Sequence, residues 1–263
     1  MRALTAMLSK SGGRRYNEDA CDFWQQGSVG CWVVCDGAGG HEGGAVAAKL
    51  AVDTIGEAFK RAPQFGASSL NHLLGAANRA VLSERGASAR FVNMRTTVSV
   101  LLADLSSGYA LWGYAGDTRV YFFRRGRIMA HTRDHSVVQS LVDGGYLQQD
   151  ELRRHPNRSA LLTALGEEDH FAPGVLSQQL PVLPGDAFLI CTDGLWEHVI
   201  EGQMEQSLAR ASSPEEWAQA LERNVLRSAP KGHDNYSLIG VWLAAQDDER
   251  AESVDDAVTV IRV

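Results

Sequence analysis

The alternation of apolar and polar positions divides the chain into short strands and two long helices. Two brief apolar runs, at 33–35 and 188–191, are partly β-branched, and each is followed within three residues by aspartate and glycine. Such runs are typical of buried strands. Residues 43–59 and 70–82 instead repeat apolar side chains at intervals of three and four, which predicts two helices packed on a sheet.

Four further apolar stretches predict an antiparallel meander. They lie at 96–105, 109–114, 119–123 and 127–131. The sequences between them, Ser106-Ser107-Gly108, Gly116-Asp117 and Arg125-Gly126, are typical of tight turns.

The remaining pattern decides the fold class. It predicts a polar helical region at 136–154. Strands are predicted at 175–180, 188–191 and 236–243, and helices at 203–211 and 214–227. Helices come in blocks between runs of strands and do not alternate with single strands. This order favours an α+β fold with antiparallel sheets over a parallel βαβ sheet.

Length and composition are consistent with one large domain. The 263 residues, 44% of them hydrophobic, suffice for a sizeable core, and we assign residues 1–245 to one domain. Residues 246–263 form an acidic tail, whose end at 257–263 is β-branched enough for an edge strand; a disordered linker is the alternative. The net charge of −7 disfavours nucleic acid or a membrane as the main partner.

The cysteines and the lack of long apolar runs indicate the cellular setting. Cys31, Cys35 and Cys191 lie within apolar runs, where cysteine usually acts as a small buried hydrophobe. No second Cys/His pair stands at zinc-finger spacing from Cys31 and Cys35. Since the chain has neither a signal-peptide pattern nor a membrane-spanning run, we expect a cytoplasmic protein, and we take it to be a monomer.

Acidic residues near strand ends are the main chemical signal. They occur in four segments: Asn17-Glu18-Asp19, Asp36-Gly37, Thr192-Asp193-Gly194 and His233-Asp234-Asn235. Each segment alone is more often a turn than a site. Together, however, they allow carboxylates from distant parts of the chain to converge. An Asp-rich, His-poor cluster supplies the all-oxygen shell that suits Mg²⁺ or Mn²⁺ better than Zn²⁺.

The order and spacing of these motifs resemble the metal-dependent Ser/Thr protein phosphatases, the PPM or type 2C family. The resemblance covers nearly the whole chain and includes Arg14-x-x-Asn17-Glu18-Asp19, Asp36-Gly37-Ala38-Gly39-Gly40-His41, Thr96-Thr97, Gly116-Asp117-Thr118-Arg119, Asp134-His135-Ser136, Pro184-Gly185-Asp186, Thr192-Asp193-Gly194-Leu195-Trp196 and Asp234-Asn235. The segment from Asp134 to Gly166 is most similar to compact bacterial members, where it forms a flap beside the site. The resemblance implies a four-layer αββα sandwich of two antiparallel sheets flanked by helices.

The resemblance also implies a site for two Mn²⁺ or Mg²⁺ ions. Asp36 would bridge both ions. The carbonyl of Gly37 and a water held by Glu18 would complete one shell, and Asp193 and Asp234 would hold the other ion.

Further residues are assigned by the same resemblance. Asp117, with Asp193, matches the position of a third, weaker-bound divalent ion, and Arg14 matches the arginine that grips the substrate phosphate. Ala38 stands where eukaryotic members carry the histidine proposed as general acid. The proton donor is then His41 or a water on the metal.

The implied activity is hydrolysis of phosphoserine and phosphothreonine in proteins by a metal-activated water. The implied partners are phosphorylated proteins, among them a bacterial Ser/Thr kinase and its substrates, with secretion-system regulators as one candidate class. Two alternatives stay open: a catalytically silent module that only binds phosphoproteins, and a two-metal phosphodiesterase.

Overall fold

Two antiparallel sheets form the centre of the computed structural model, which describes residues 1–38, 42–87, 89–169 and 171–246. In spatial order, the first sheet contains β1 (Arg2–Lys10), β12 (Tyr236–Ala244), β11 (Ala187–Cys191), β7 (Arg119–Arg124) and β8 (Arg127–His131). The second contains β10 (Leu180–Pro181), β6 (Tyr109–Ala115), β5 (Val98–Asp104), β3 (Val29–Ala38) and β2 (Asp19–Gln26). Two short strands extend it: β9 (Gly174–Val175) pairs with β6, and β4 (Arg95–Thr96) pairs with β3.

Helices cover the outer faces of both sheets. They are α1 (Glu42–Arg61), α2 (Ala67–Ala87), α3 (Val137–Asp143), α4 (Asp193–Trp196), α5 (Glu201–Arg210) and α6 (Pro214–Ser228). The apolar stripe of α1 buries Ile55 and Phe59 against the second sheet, as its helical spacing predicts. On the other side, α6 buries Trp217 and Leu221 against the first sheet.

A third apolar layer lies between the two sheets. Trp32 and Leu101 from the second sheet pack with Phe122, Phe188 and Ile239 from the first. Each strand here alternates its side chains between this layer and a helix layer, so both faces of each sheet are buried. The result is the αββα sandwich that the resemblance implied, and the predicted fold class is confirmed.

Two strands were not predicted from the pattern. Strand β1 pairs with β12 along nine residues, from Arg2 opposite Ala244 to Lys10 opposite Tyr236. Its side chains are mostly small or polar, so local propensity is weak, and pairing with β12 decides its conformation. Strand β2 is likewise held by its pairing with β3.

Two predicted elements are wrong in extent. The strand expected at 175–180 is two separate two-residue strands, β9 and β10, which both pair with β6. The polar helical region expected at 136–154 contains only α3 and a 3₁₀ turn at Leu152–Arg154. Ser136 caps the start of α3 through its hydroxyl, and Gly144 and Gly145 end the helix.

Other expectations concern the cysteines and the chain end. Cys31, Cys35 and Cys191 are buried, as predicted, and none of these three forms a disulfide. No helix in the described part of the chain is long and apolar enough to cross a membrane. The tail after Gln246, including the proposed edge strand, lies outside the described residues.

Candidate active site

One cleft collects aspartates from four separate strand ends. Asp36 lies near the end of β3, Asp117 in the turn between β6 and β7, Asp193 at the start of α4, and Asp234 just before β12. All four line a cleft of about 450 Å³. The sandwich thus brings together carboxylates that are far apart in the sequence.

The other sequence-predicted site residues that the structure describes line the same cleft: Arg14, Glu18 and Gly37. Arg14 donates a hydrogen bond from Nη2 to Oδ2 of Asp234 at 2.9 Å, and both side chains are about half exposed. The guanidinium therefore lies at the mouth of the cleft, within reach of solvent. His41 lies outside the described residues.

The backbone around Asp36 is held by the Thr96-Thr97 motif. The carbonyl of Asp36 accepts from the hydroxyl of Thr96 at 2.7 Å and from the N–H of Thr97 at 2.9 Å. In return, the N–H of Asp36 donates to Oγ1 of Thr97 at 3.1 Å. These bonds fix the peptide that carries the Asp36 carboxylate.

Two glycines allow the start of α1 to approach this peptide. A Cβ on Gly37 would lie 2.2 Å from the carbonyl oxygen of Gly44, and a Cβ on Gly44 would lie 2.1 Å from Oε2 of Glu18. No side chain fits at either position. The close approach places the carboxylate of Glu18 beside Gly37, on the Asp36 side of the cleft.

The carboxylates are crowded enough to resist ionisation. Removal from water raises the pKa of Asp36 well above its ordinary value, and the negative charges of Asp19 and Asp193 raise it further. The pKa of Asp193 is raised in the same way, first by removal from water and then by Asp117 and Glu197. Such clusters of mutually repelling carboxylates are typical of functional sites.

Asp117 is more deeply buried than its neighbours. Its side chain is 5% exposed, and burial raises the pKa to about 7, with the charge of Asp134 adding to the effect and Arg119 opposing it. Burial therefore disfavours the charged form of this carboxylate, and a bound cation would favour it.

Two residues of the site were not assigned from the sequence. Removal from water raises the pKa of Asp19 to about 7. The hydrogen bond that Thr192 donates to its Oδ2 at 3.0 Å opposes this rise. Asn235 binds the loop before Glu18: its Nδ2 donates to the carbonyls of Ser11 and Tyr16, and its Oδ1 accepts from the N–H of Glu18 at 2.8 Å. Both stand in the motifs that contain Glu18 and Asp234, but neither was assigned a role from the sequence.

The donor groups fit a hydrated hard cation. Oδ1 of Asp193 and Oδ1 of Asp19 are both shielded from solvent and accept no hydrogen bond from any described residue. In the part of the chain that the structure describes, no three acidic, histidine or cysteine side chains lie close enough together to hold one ion without other ligands. Mg²⁺ and Mn²⁺ keep several waters and need few direct carboxylate ligands, so the arrangement suits them better than a fully dehydrated ion.

Known proteins share both the sequence pattern and the fold. The model of the family "Protein phosphatase 2C" matches residues 10–235. The serine/threonine phosphatase stp of Listeria welshimeri is 27% identical over 232 residues, which is 86% of this chain and 90% of that protein.

Two solved structures extend the comparison. The catalytic domain of the serine/threonine phosphatase PstP, in complex with two manganese ions, is 25% identical with a TM-score of 0.77, over 92% of this chain and 99% of that one. PppA, described as a key regulatory component of T6SS in Pseudomonas aeruginosa, is 30% identical with a TM-score of 0.71, over 92% of this chain and 98% of that one. Because the family model matches most of the chain, this chain belongs to the protein phosphatase 2C family and is a serine/threonine phosphatase.

Proposed function

We propose that this protein hydrolyses phosphoserine and phosphothreonine in other proteins with two Mn²⁺ or Mg²⁺ ions. One observation carries the proposal: Asp36, Asp117 and Asp193 line one cleft. The charges of Asp193 and Asp117 raise the pKa of Asp36, and the charge of Asp117 raises the pKa of Asp193, whose Oδ1 accepts no hydrogen bond from the described residues. An excess of uncompensated carboxylate is expected where the fold depends on a metal for its charge balance.

In this proposal, five groups hold the two ions. Asp36 would bind both ions, the carbonyl of Gly37 and a water on Glu18 would serve one, and Asp193 and Asp234 would serve the other; all five residues line the cleft. When bound, the ions supply an activated water as nucleophile and neutralise the oxygens of the transferring phosphoryl group. Support comes from PstP, whose catalytic domain is known in complex with two manganese ions. Asp117, together with Asp193, is the proposed binding place of a third, weaker-held ion.

Arg14 is the proposed phosphate-binding residue. Its guanidinium reaches the cleft from a loop and pairs with Asp234 at 2.9 Å. Arginine binds phosphate through two parallel hydrogen bonds, and its half-exposed position allows it to turn from Asp234 to an incoming substrate. The residue therefore orients the phosphoryl group towards the carboxylates.

The proposed partners are phosphorylated proteins, with a bacterial Ser/Thr kinase and its substrates as the first candidates. The likeness to PppA also supports regulators of a secretion system as a substrate class. We propose the cytoplasm as the setting and a monomer as the active form. Phosphoproteomics after deletion of the gene would identify the substrates, and light scattering would measure the oligomeric state.

The activity is tested on three substrates: a phosphothreonine peptide, p-nitrophenyl phosphate and a dinucleotide. With Mn²⁺ we expect release of phosphate from the first two and no cleavage of the third, and we expect a chelator to abolish turnover. Cleavage of the dinucleotide alone would indicate a phosphodiesterase. Peptide binding without turnover in Mn²⁺ would indicate a silent binding module.

A further inference from the structure

The turn that carries Asp117 is held through three consecutive carbonyl groups. Each accepts a hydrogen bond from a different part of the fold: Gly116 from the N–H of His135 at 2.9 Å, Asp117 from the indole Nε1 of Trp196 at 2.9 Å, and Thr118 from the hydroxyl of Ser99 at 2.6 Å. Gly116 itself has φ of +98°, which favours glycine. The position of the Asp117 carboxylate is thus set by groups outside the turn.

Trp196 connects this turn to the helix that presents Asp193. It stands three residues after Asp193 in α4, and its side chain is fully buried at 1% exposure. Because its indole N–H donates to the Asp117 carbonyl, one side chain joins the two segments that carry the carboxylates. This hydrogen bond therefore links the turn that carries Asp117 to the helix that carries Asp193.

Arg119 fixes the indole from its face. Its guanidinium carbon lies 3.6 Å from the centroid of the Trp196 ring. The same guanidinium makes two hydrogen bonds of 2.7 Å to the carboxylate of Asp134 and one of 3.0 Å to the hydroxyl of Tyr121. A buried guanidinium with these three partners has a single orientation, so the indole above it is held in one position.

We propose that Trp196 is a positioning residue for the ion shared by Asp117 and Asp193. Its indole N–H, held in place by Arg119, sets the Asp117 carboxylate at the distance from Asp193 at which both bind the same divalent ion. This inference rests on the proposed function, in which those two aspartates hold the weaker-bound ion. Residues that orient metal ligands typically contribute about 10-fold to 100-fold to metal affinity.

The test is a Mn²⁺ titration of the full chain with Trp196→Phe, which removes the N–H and keeps an aromatic ring. Two readouts are followed: free Mn²⁺ by electron paramagnetic resonance, and turnover of a phosphothreonine peptide. We expect the two tighter ions to bind as in the wild type and the weakest binding step to need roughly 10-fold more Mn²⁺. Turnover should recover near-normal values once Mn²⁺ is saturating.

Trp217→Phe is the matched control. Trp217 is also fully buried, in α6, but its Nε1 donates to no described residue. This variant loses the same volume without losing a hydrogen bond, so its Mn²⁺ titration should match the wild type. Equal titrations for Trp196→Phe and Trp217→Phe would overturn the proposal.

Two further variants separate the possible failures. Asp117→Asn is the reference for loss of the weaker ion; if it leaves the titration unchanged, the proposed third ion is wrong, and the role of Trp196 with it. If Asp117→Asn shifts the titration and Trp196→Phe does not, only the role of Trp196 is wrong. Should Trp196→Phe not fold, replacement of Trp196 by benzothienylalanine exchanges the N–H for sulfur at nearly constant volume and must give the same shift.

Discussion

The two ends of strand β11 each carry a carboxylate, in opposite circumstances. Asp186, just before the strand, is 3% exposed and fully paired: it accepts hydrogen bonds from Arg124 at 2.9 and 2.7 Å and from the N–H of Leu183 at 2.8 Å. Asp193, just beyond the other end, faces Asp117 and other carboxylates. Its shielded Oδ1 accepts no hydrogen bond from the described residues.

This difference distinguishes a carboxylate with a structural role, Asp186, from one that we propose binds metal, Asp193. A desolvated charge is tolerated only when it is paired, as at Asp186, or when a cation from solution compensates it. The fold itself compensates Asp186 through Arg124. At Asp193 the proposed function leaves this compensation to bound ions, so we expect loss of the two charges to have different consequences.

The largest effect is expected from Asp193→Asn or Asp36→Asn. Each removes one negative charge from the proposed metal site, so turnover should fall roughly 10³-fold, the upper range for loss of one electrostatic group. Metal-free protein should keep or gain stability, because one repelling charge is gone. Peptide turnover at saturating Mn²⁺ measures the first effect, and urea unfolding in chelator measures the second. Wild-type turnover in either variant would contradict the assignment.

The next largest effect concerns the proton that the leaving group takes up, and it tests the catalytic role of the cleft that contains Asp193. If His41 supplies this proton, His41→Ala should slow phosphopeptide hydrolysis roughly 10²-fold and barely affect p-nitrophenyl phosphate, whose leaving group departs without a proton. The measurement is turnover of both substrates at saturating Mn²⁺. Equal losses on both would instead indicate that His41 shapes the Asp36 loop, and no loss on either would leave water as the donor.

Asp186→Asn tests the structural end of the strand. It removes the charge that Arg124 pairs with while keeping the side-chain volume, so we expect the free energy of unfolding to fall by about 2 kcal/mol. The decrease should be the same with and without Mn²⁺, and turnover below the melting temperature should be unchanged. Urea unfolding under both conditions checks this. A loss of Mn²⁺ affinity would contradict the separation between the two ends.

The last prediction concerns the pH dependence of the stability of the metal-free protein. Asp19 and Asp117 have pKa values raised from 3.8 to about 7, so in chelator the folded state holds more protons than the unfolded state between these values. The contribution of these two carboxyl groups to stability is therefore greatest below about pH 4 and decreases as the pH rises through about 7. Melting curves in chelator should show this decrease, and saturating Mn²⁺ should remove it. The same slope with Mn²⁺ would indicate that bound ions do not compensate these carboxylates.

Much of the fold could be predicted from the sequence, because the strong patterns are local. The apolar spacing of α1, α2 and α6 follows from helical geometry, and the meander from β5 to β8 follows from its turn residues. Strand β1 could not be predicted, because its side chains are weakly apolar and its conformation depends on β12, more than 200 residues away.

In the candidate site too, local features could be predicted from the sequence and long-range contacts could not. Residue type and position identified Asp36, Asp193 and Asp234 as acidic residues near strand ends, and the family resemblance added Asp117. Local residue pattern alone does not distinguish Asp186 from Asp193, since both stand beside glycine and next to the same apolar run; the family resemblance singled out Asp193. Only the tertiary structure brings Arg124 to one of them and other carboxylates to the other. Pairing and desolvation depend on residues that are remote in sequence, so they are decided by how the two sheets pack.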